Sequence, residues 1–269
     1  MYVDGINNAE HIVSCPVNRC LYAVGVWLRS VAAIQRIHPA NGELIKRWTV
    51  PEGGYRMSVA SDTNVILNIN HEAKLHEYTA DGELVRKINL SSATGVSQVW
   101  HAVKLHSGLF VVCHWGFGDL LSRVCLLSTK RTDETPGRID KAEILATFGE
   151  EQEDSVRLKK PTYLSMGPDG SILVSDTSKM QVLLLSSNLV DPKILISEEH
   201  GLGLPGRTCF GESECDCFVA DYHYVVVCRV VDGKVNRARY DLGRCCMQTF
   251  RARTIRSRTI RPTYRPTYK

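Results

Sequence analysis

The stretch Asn41-Gly-Glu-Leu-Ile-Lys-Arg47 is repeated forty residues later as Asp81-Gly-Glu-Leu-Val-Arg-Lys87, with a similar residue at every position. Each copy begins with a turn dipeptide, Asn-Gly or Asp-Gly, which favours a β-hairpin. Each then continues into the alternating apolar residues of a strand. An internal match at this distance indicates a fold built from repeats of about 40 residues.

A second series of matching segments runs through the first 240 residues. Its members are short apolar strand cores that begin at Leu21, Val65, Leu109, Ile172 and Cys217. Their starts lie 44, 44, 63 and 45 residues apart, so one unit occurs five times and the third unit carries a charged insertion, 129–142 and 150–160, which we predict to form surface loops. Four antiparallel strands fit into each unit, which is typical of a β-propeller blade. We therefore predict an all-β propeller with blades at 11–50, 56–90, 97–148, 158–198 and 204–240.

The fourth and fifth units share a pattern that runs from a Pro through a Gly turn to an apolar strand ending in Asp. It is carried by Leu158-Lys-Lys-Pro161, Pro168-Asp-Gly-Ser-Ile-Leu-Val-Ser-Asp176, Gln181-Val-Leu-Leu-Leu185, Leu204-Pro-Gly206 and Cys217-Phe-Val-Ala-Asp221. This pattern resembles the NHL repeat. The resemblance is weaker over 15–150, where Gly25, Ile69 and Cys113 stand in the place of the strand-ending Asp. The chain is similar to NHL-like propellers of invertebrates. Since NHL propellers usually have six blades, the resemblance implies either a five-bladed ring or a truncated six-bladed one.

The formal charge of the 269-residue chain is +4, but it is unevenly distributed. Seven of the 33 basic residues lie in 251–269, which contains no Asp or Glu, so the first 250 residues carry 26 basic and 29 acidic side chains. We predict a propeller domain over 1–250 and a disordered, low-complexity basic tail over 251–269.

No apolar run reaches the roughly 18 residues of a membrane span and no export signal begins the chain, so we expect a soluble, cytoplasmic protein without a membrane partner.

The residues that could carry chemistry are few. Asp176 and Asp221 end strands, and we interpret them as structural caps that accept backbone N–H groups of turns. Cys209, Cys215, Cys217 and His223 are weak candidates for a metal site, because they lack a CxxC pair and cysteines in apolar runs are more often core residues. We found no nucleophile elbow, phosphate-binding loop or His-Glu-x-x-His motif. We therefore predict no catalytic residue, no cofactor and no enzyme activity.

Function is predicted only as a class. We expect a non-catalytic interaction module that binds a protein partner through rim loops. The NHL regions of tripartite-motif ubiquitin ligases are more distant relatives, so the resemblance implies a substrate-recognition role in ubiquitin-linked protein turnover. One alternative is binding of single-stranded or stem-loop RNA through Lys130, Arg131, Arg138, Lys159 and Lys160. The other is a metal-dependent, lactonase-type propeller enzyme. The identity of the partner and the oligomeric state stay open.

Overall fold

Twenty β-strands and one 3-10 helix (Glu198–His200) make up the described part of the chain, so the predicted all-β fold is confirmed. The structure is a computed structural model. It describes residues 9–27, 31–53, 55–69, 73–90, 96, 98–115, 122–130, 139–149, 156–211, 216–221, 224–231 and 234–241. No helix among these residues is long and apolar enough to cross a membrane.

The strands form five four-stranded antiparallel blades. Blade 1 contains β1 (Ala9–Cys15), β2 (Cys20–Trp27), β3 (Val31–Ile37) and β4 (Leu44–Thr49). Blade 2 contains β5 (Tyr55–Val59), β6 (Val65–Ile69), β7 (Lys74–Tyr78) and β8 (Leu84–Asn89). Blade 3 contains β9 (Val99–Lys104), β10 (Phe110–His114), β11 (Arg123–Lys130) and β12 (Ile139–Phe148). Blade 4 contains β13 (Pro161–Met166), β14 (Ile172–Asp176), β15 (Gln181–Leu185) and β16 (Lys193–Ile196). Blade 5 contains β17 (Thr208–Phe210), β18 (Asp216–Ala220), β19 (Tyr224–Val231) and β20 (Lys234–Asp241).

The two repeated Asn-Gly and Asp-Gly dipeptides form the hairpin turns between the third and fourth strands of blades 1 and 2. Gly42 and Gly82 have φ angles of +75° and +84°, which a residue without a side chain adopts at no steric cost. At Gly82 a Cβ atom would also lie 2.5 Å from the Trp48 ring of blade 1. Glycine is therefore required there both for the turn and for the contact between blades.

Blades 2 and 3 are joined at their outer edges. Residues Ile139–Lys141 of β12 pair in parallel with Lys87–Asn89 of β8, so the two blades form one eight-stranded sheet. These β12 residues belong to the charged insertion, which the sequence predicted to be a surface loop. They form a strand instead because the unpaired backbone groups of β8 provide partners for it.

The first strands of the five blades surround a central channel and are linked around it by hydrogen bonds. The backbone N–H of Met57 donates to Nδ1 of His11 (3.3 Å), and Oγ of Ser58 donates to the Ala102 carbonyl (2.7 Å). The Leu164 N–H donates to Nδ1 of His101 (3.4 Å), and the hydroxyls of Ser165 and Thr208 lie 3.4 Å apart. Arg207, just before the first strand of blade 5, donates to the Ile12 carbonyl of blade 1 (3.0 Å).

The hydrophobic clusters join fewer pairs of blades than these hydrogen bonds do. Four hydrophobic clusters join blade 1 to 2, 2 to 3, 3 to 4 and 4 to 5. Within the described residues no such cluster joins blade 5 to blade 1. A cavity of about 430 Å³ runs from the channel into this junction, between Ile12 and Val13 on one side and Phe218 and Val225 on the other. Among the described residues, apolar clusters thus join four pairs of neighbouring blades, and the Arg207 hydrogen bond links blade 5 to blade 1.

A network of buried charges lies between blades 2 and 3. Glu77, only 1% exposed, accepts hydrogen bonds from Arg86 Nε (2.7 Å), Lys104 Nζ (2.6 Å) and Asn64 Nδ2 (2.7 Å). Arg86 also donates to Asp140 on β12 (3.0 Å). Despite burial, which opposes ionisation, these hydrogen bonds hold the pKa of Glu77 below its ordinary value. The buried groups of this network therefore stay ionised because each of them is paired with a group of opposite charge.

Candidate functional site

The first strands of the blades all run in the same direction along the channel, so their starts converge at one end. The second residues of β1, β5, β9 and β13 are Glu10, Arg56, Trp100 and Thr162, and Arg207 directly precedes β17. They surround a cavity of about 590 Å³, hereafter the channel cavity. Its lining comprises Glu10, His11, Arg56, Trp100, Lys160, Thr162, Tyr163, Thr177, Ser178, Met180, Leu204, Gly206 and Arg207.

Three cations line the channel cavity without a carboxylate partner among the described residues. Arg56 donates to the neighbouring Tyr55 carbonyl (2.9 Å), and Arg207 donates to the Ile12 carbonyl. Lys160 Nζ lies 4.5 Å from the ring centre of Trp115 and 5.7 Å from that of Trp100, a cation–π arrangement that holds the ammonium group at the cavity. Glu10 is the one carboxylate in the lining, and it accepts the Tyr55 N–H (3.1 Å). The lining therefore carries a net charge of +2 when its histidine is neutral.

The histidines at the inner strands are neutral and buried. Desolvation by burial lowers the pKa of His11 to about 2, with the positive charges of Arg207 and Arg56 acting in the same direction. Desolvation likewise lowers the pKa of His101 to about 3. Because Nδ1 of His101 accepts from Leu164, its Nε2 carries the proton and donates to the Met57 carbonyl (3.1 Å). His101, on β9, therefore links this strand to β5 and β13 by hydrogen bonds.

Three residues of the cavity lining keep a buried polar atom without a hydrogen-bond partner among the described residues. These atoms are Nε2 of His11, Nε1 of Trp100 and Oγ1 of Thr162. Since Nδ1 of His11 accepts from Met57, its Nε2 is a donor, as is the indole N–H of Trp100. A buried donor without a partner costs free energy, so these positions favour a ligand or water that offers an acceptor.

The two predicted turn caps lie beside this site and contact backbone N–H groups. The carboxylate of Asp176 accepts from Lys159 N (2.7 Å), Lys160 N (3.0 Å), Ser178 N (3.2 Å) and Lys179 N (3.2 Å). Asp221 accepts from Gly203 N (2.9 Å) and Leu204 N (2.7 Å) at the matching position of blade 5. Each therefore connects the end of the second strand to the segment that enters the first strand of the same blade.

Removing the Asp176 carboxylate should destabilise the fold. The Asp176→Ala variant leaves four N–H groups without their acceptor, and Asp176 is fully buried. We expect the free energy of unfolding to fall by about 3 kcal/mol, measured by urea denaturation. Asp169→Ala is the matched control, because exposed Asp169 accepts only from Ser171 in a surface turn and should cost less than about 1 kcal/mol. Equal losses in the two variants would contradict a capping role for Asp176.

The weak metal candidates are only partly described. Cys209 is exposed on β17, whereas Cys217 is buried opposite Cys228 in the cluster between blades 4 and 5. Cys215 and His223 lie outside the described residues. Among the residues that the structure describes, no group of three or more His, Cys, Asp or Glu side chains could hold a metal ion.

The residues predicted for RNA contact do not form one surface in the described part of the chain. Lys130 forms an exposed ion pair with Glu143 (2.7 Å) on the outer strands of blade 3. Arg131 and Arg138 lie outside the described residues, as does the tail. Lys160 lines the channel cavity, and the backbone of Lys159 binds Asp176. Sequence reasoning missed Arg56, Trp100 and Arg207, although together with Thr162 they follow one another at intervals of 44, 62 and 45 residues, as the blade repeat does.

Comparison with known proteins identifies the fold. No protein-family model and no curated protein matches the chain. Among solved structures, a streptogramin B lyase superposes with a TM-score of 0.59 at 12% identity, covering 90% of this chain and 70% of that one. A nidogen/laminin complex gives a TM-score of 0.57 at 14% identity, covering 84% and 76%. A catalytically inactive virginiamycin B lyase from Staphylococcus aureus, crystallised with quinupristin, gives 0.52 at 11% identity, covering 86% and 73%. At these identities the likeness establishes the fold alone, and that fold is a β-propeller.

Proposed function

We propose that this propeller is a non-catalytic binding module that recognises an acidic segment of a protein partner at the channel cavity. The observation that carries the proposal is the convergence of Arg56, Lys160 and Arg207 on one cavity without a carboxylate partner among the described residues. Cations placed in this way attract a ligand of opposite charge and favour it over neutral or basic ones. The cavity is large enough for a few side chains of such a segment.

The polar groups beside the cavity support binding rather than catalysis. A general base must accept a proton near neutral pH, and the pKa values of His11 and His101 are far below that range. Both rings also use a nitrogen to join neighbouring inner strands. A binding module that delivers partners to ubiquitin-linked turnover, as the NHL resemblance implies, would use such a site to choose its partner.

The test is the binding of a fluorescent Glu-rich peptide to the full chain, measured by anisotropy. Replacing Arg56 and Arg207 with Gln should weaken binding at least tenfold, because each charge-assisted hydrogen bond contributes about 1.5 kcal/mol or more. The control is Lys46→Gln with Lys193→Gln, which removes the same charge from exposed positions on β4 and β16. Since the basic tail is present in both variants, its contribution to binding cancels in the comparison.

Two results would overturn the proposal. One is equal loss of binding in the cavity variant and in its control, which would place the interaction on general surface charge. The other concerns RNA, since Trp100 and Trp115 offer rings on which bases stack. If the cavity variant loses binding of a single-stranded oligouridine while its peptide affinity equals that of the parent, the site serves RNA.

A further inference from the structure

The channel cavity has a charge and a set of hydrogen-bond donors that together specify one kind of anion. We propose that it binds a phosphate monoester dianion between Arg56, Lys160 and Arg207. This inference rests on the proposed function, because it specifies which acidic group of the partner occupies the cavity.

The first argument is charge. Three cations and one carboxylate line the cavity, which leaves a net charge of +2. His11, the one histidine in the lining, adds no charge because it stays neutral. A phosphate monoester carries between −1.5 and −2 charges at neutral pH, whereas a single carboxylate carries −1. A dianion therefore balances the charge of the lining side chains, whereas one carboxylate leaves one positive charge; the carboxylates of Asp176 and Asp221 lie outside the lining, against backbone N–H groups.

The second argument is the number of donors. Each guanidinium has five N–H groups, and each donates one described hydrogen bond to a backbone carbonyl, Arg56 to Tyr55 and Arg207 to Ile12. His11, Trp100 and Thr162, each with a buried polar atom that lacks a partner among the described residues, belong to the same lining. A phosphate offers three strongly accepting oxygens to such a donor set. A carboxylate offers two oxygens in one plane and leaves more donors without an acceptor.

The third argument is pre-organisation. Lys160 is held over the Trp115 and Trp100 rings, and Arg56 lies 5.9 Å from the centre of the Trp100 ring. Asp176 fixes the backbone of Lys160 by accepting its N–H (3.0 Å). Since these groups are positioned before a ligand arrives, binding requires little ordering of long side chains. The arrangement suits an anion of fixed shape.

The first experiment uses inorganic phosphate as the probe, titrated into the full chain and followed by tryptophan fluorescence and thermal unfolding. We expect saturable binding and a rise in the unfolding temperature, with acetate at least tenfold weaker than phosphate. The Arg56→Gln, Arg207→Gln double variant should abolish saturation. Arg56→Lys keeps the charge and should retain part of the affinity, and the unfolding temperature of the double variant without phosphate shows whether the loss of the Arg207 contact to Ile12 affects the fold rather than the site. Lys46→Gln with Lys193→Gln should behave as the parent chain.

The second experiment compares three versions of one Glu-rich peptide, with serine, phosphoserine or glutamate at its centre. The phosphoserine peptide should bind at least tenfold more tightly than the serine peptide, and the Arg56→Gln, Arg207→Gln variant should lose that gain. If phosphoserine gives no gain, or if the gain survives in this variant, the phosphate inference is wrong, although cavity-dependent binding of the serine peptide would leave the proposed function standing. If inorganic phosphate binds in the cavity but none of the peptides does, the proposed function is wrong and the phosphate site stands.

Discussion

The Glu77→Gln variant is expected to unfold with a free energy about 3 kcal/mol below that of the parent chain, as measured by urea denaturation. Glu77 is buried between Arg86 and Lys104, which both lie within 2.7 Å of its oxygens. Glutamine keeps the shape of the side chain but removes the negative charge. Two cations then remain in a region of low polarity with one fewer counter-ion, and this imbalance is the source of the cost.

The control for Glu77 is Glu143→Gln. Glu143 forms a 2.7 Å ion pair with Lys130, but both side chains are more than half exposed. An exposed pair of this kind contributes little, so we expect a change within about 0.5 kcal/mol. If Glu143→Gln destabilised the chain as much as Glu77→Gln, burial would not be what makes the Glu77 network strong.

Lowering the pH should destabilise this propeller already at pH values well above those at which carboxylates titrate. Burial lowers the pKa of His11 to about 2, of His101 to about 3 and of His114 to about 4, whereas each has an ordinary value of 6.5 when unfolded. Below pH 6.5 the unfolded state binds protons that the folded state excludes, so stability falls as the pH falls. At pH 5.5 each histidine costs about 1.4 kcal/mol, and the three together about 4 kcal/mol.

The measurement is the urea midpoint of the parent chain between pH 7.5 and pH 5.5. The His101→Gln variant is the control, because glutamine can accept from Leu164 and donate to Met57 but does not titrate. The free energy of unfolding of this variant should fall less steeply with falling pH, because unfolding takes up about one proton fewer than in the parent chain. Parallel pH curves for the parent and the variant would contradict the view that His101 is neutral when folded.

The repeat pattern was sufficient to predict the all-β propeller, because its hairpin turns depend on local chemistry. Asn41-Gly42 and Asp81-Gly82 form hairpins for reasons contained in the dipeptides themselves. The parallel pairing of Ile139–Lys141 with β8 could not be predicted in this way, since it joins segments about 50 residues apart. It depends on an edge that exists only after blade 2 has formed.

The candidate site could be predicted less well than the fold. Arg56, Trp100 and Arg207 are individually unremarkable and occur in no motif. Their relation appears only when the blades are aligned, which places them at equivalent ends of the inner strands. His11 and His101 looked scattered in the sequence for the same reason, because the inner strands that they link are brought together only by the fold. A strand-by-strand alignment of the five units is the signal that would have found them.

The uneven distribution of hydrophobic clusters between the blades also bears on how this fold unfolds. In the described part of the chain four apolar clusters join neighbouring blades and none joins blade 5 to blade 1, so we expect the stabilities of the blades to add up as in a linear array with two ends. An end unit rests on one apolar neighbour, whereas a middle unit rests on two. We therefore expect opening to begin where blades 1 and 5 meet and to proceed inward, so that the amide protons of blades 2 and 3, which share one sheet, exchange with solvent last.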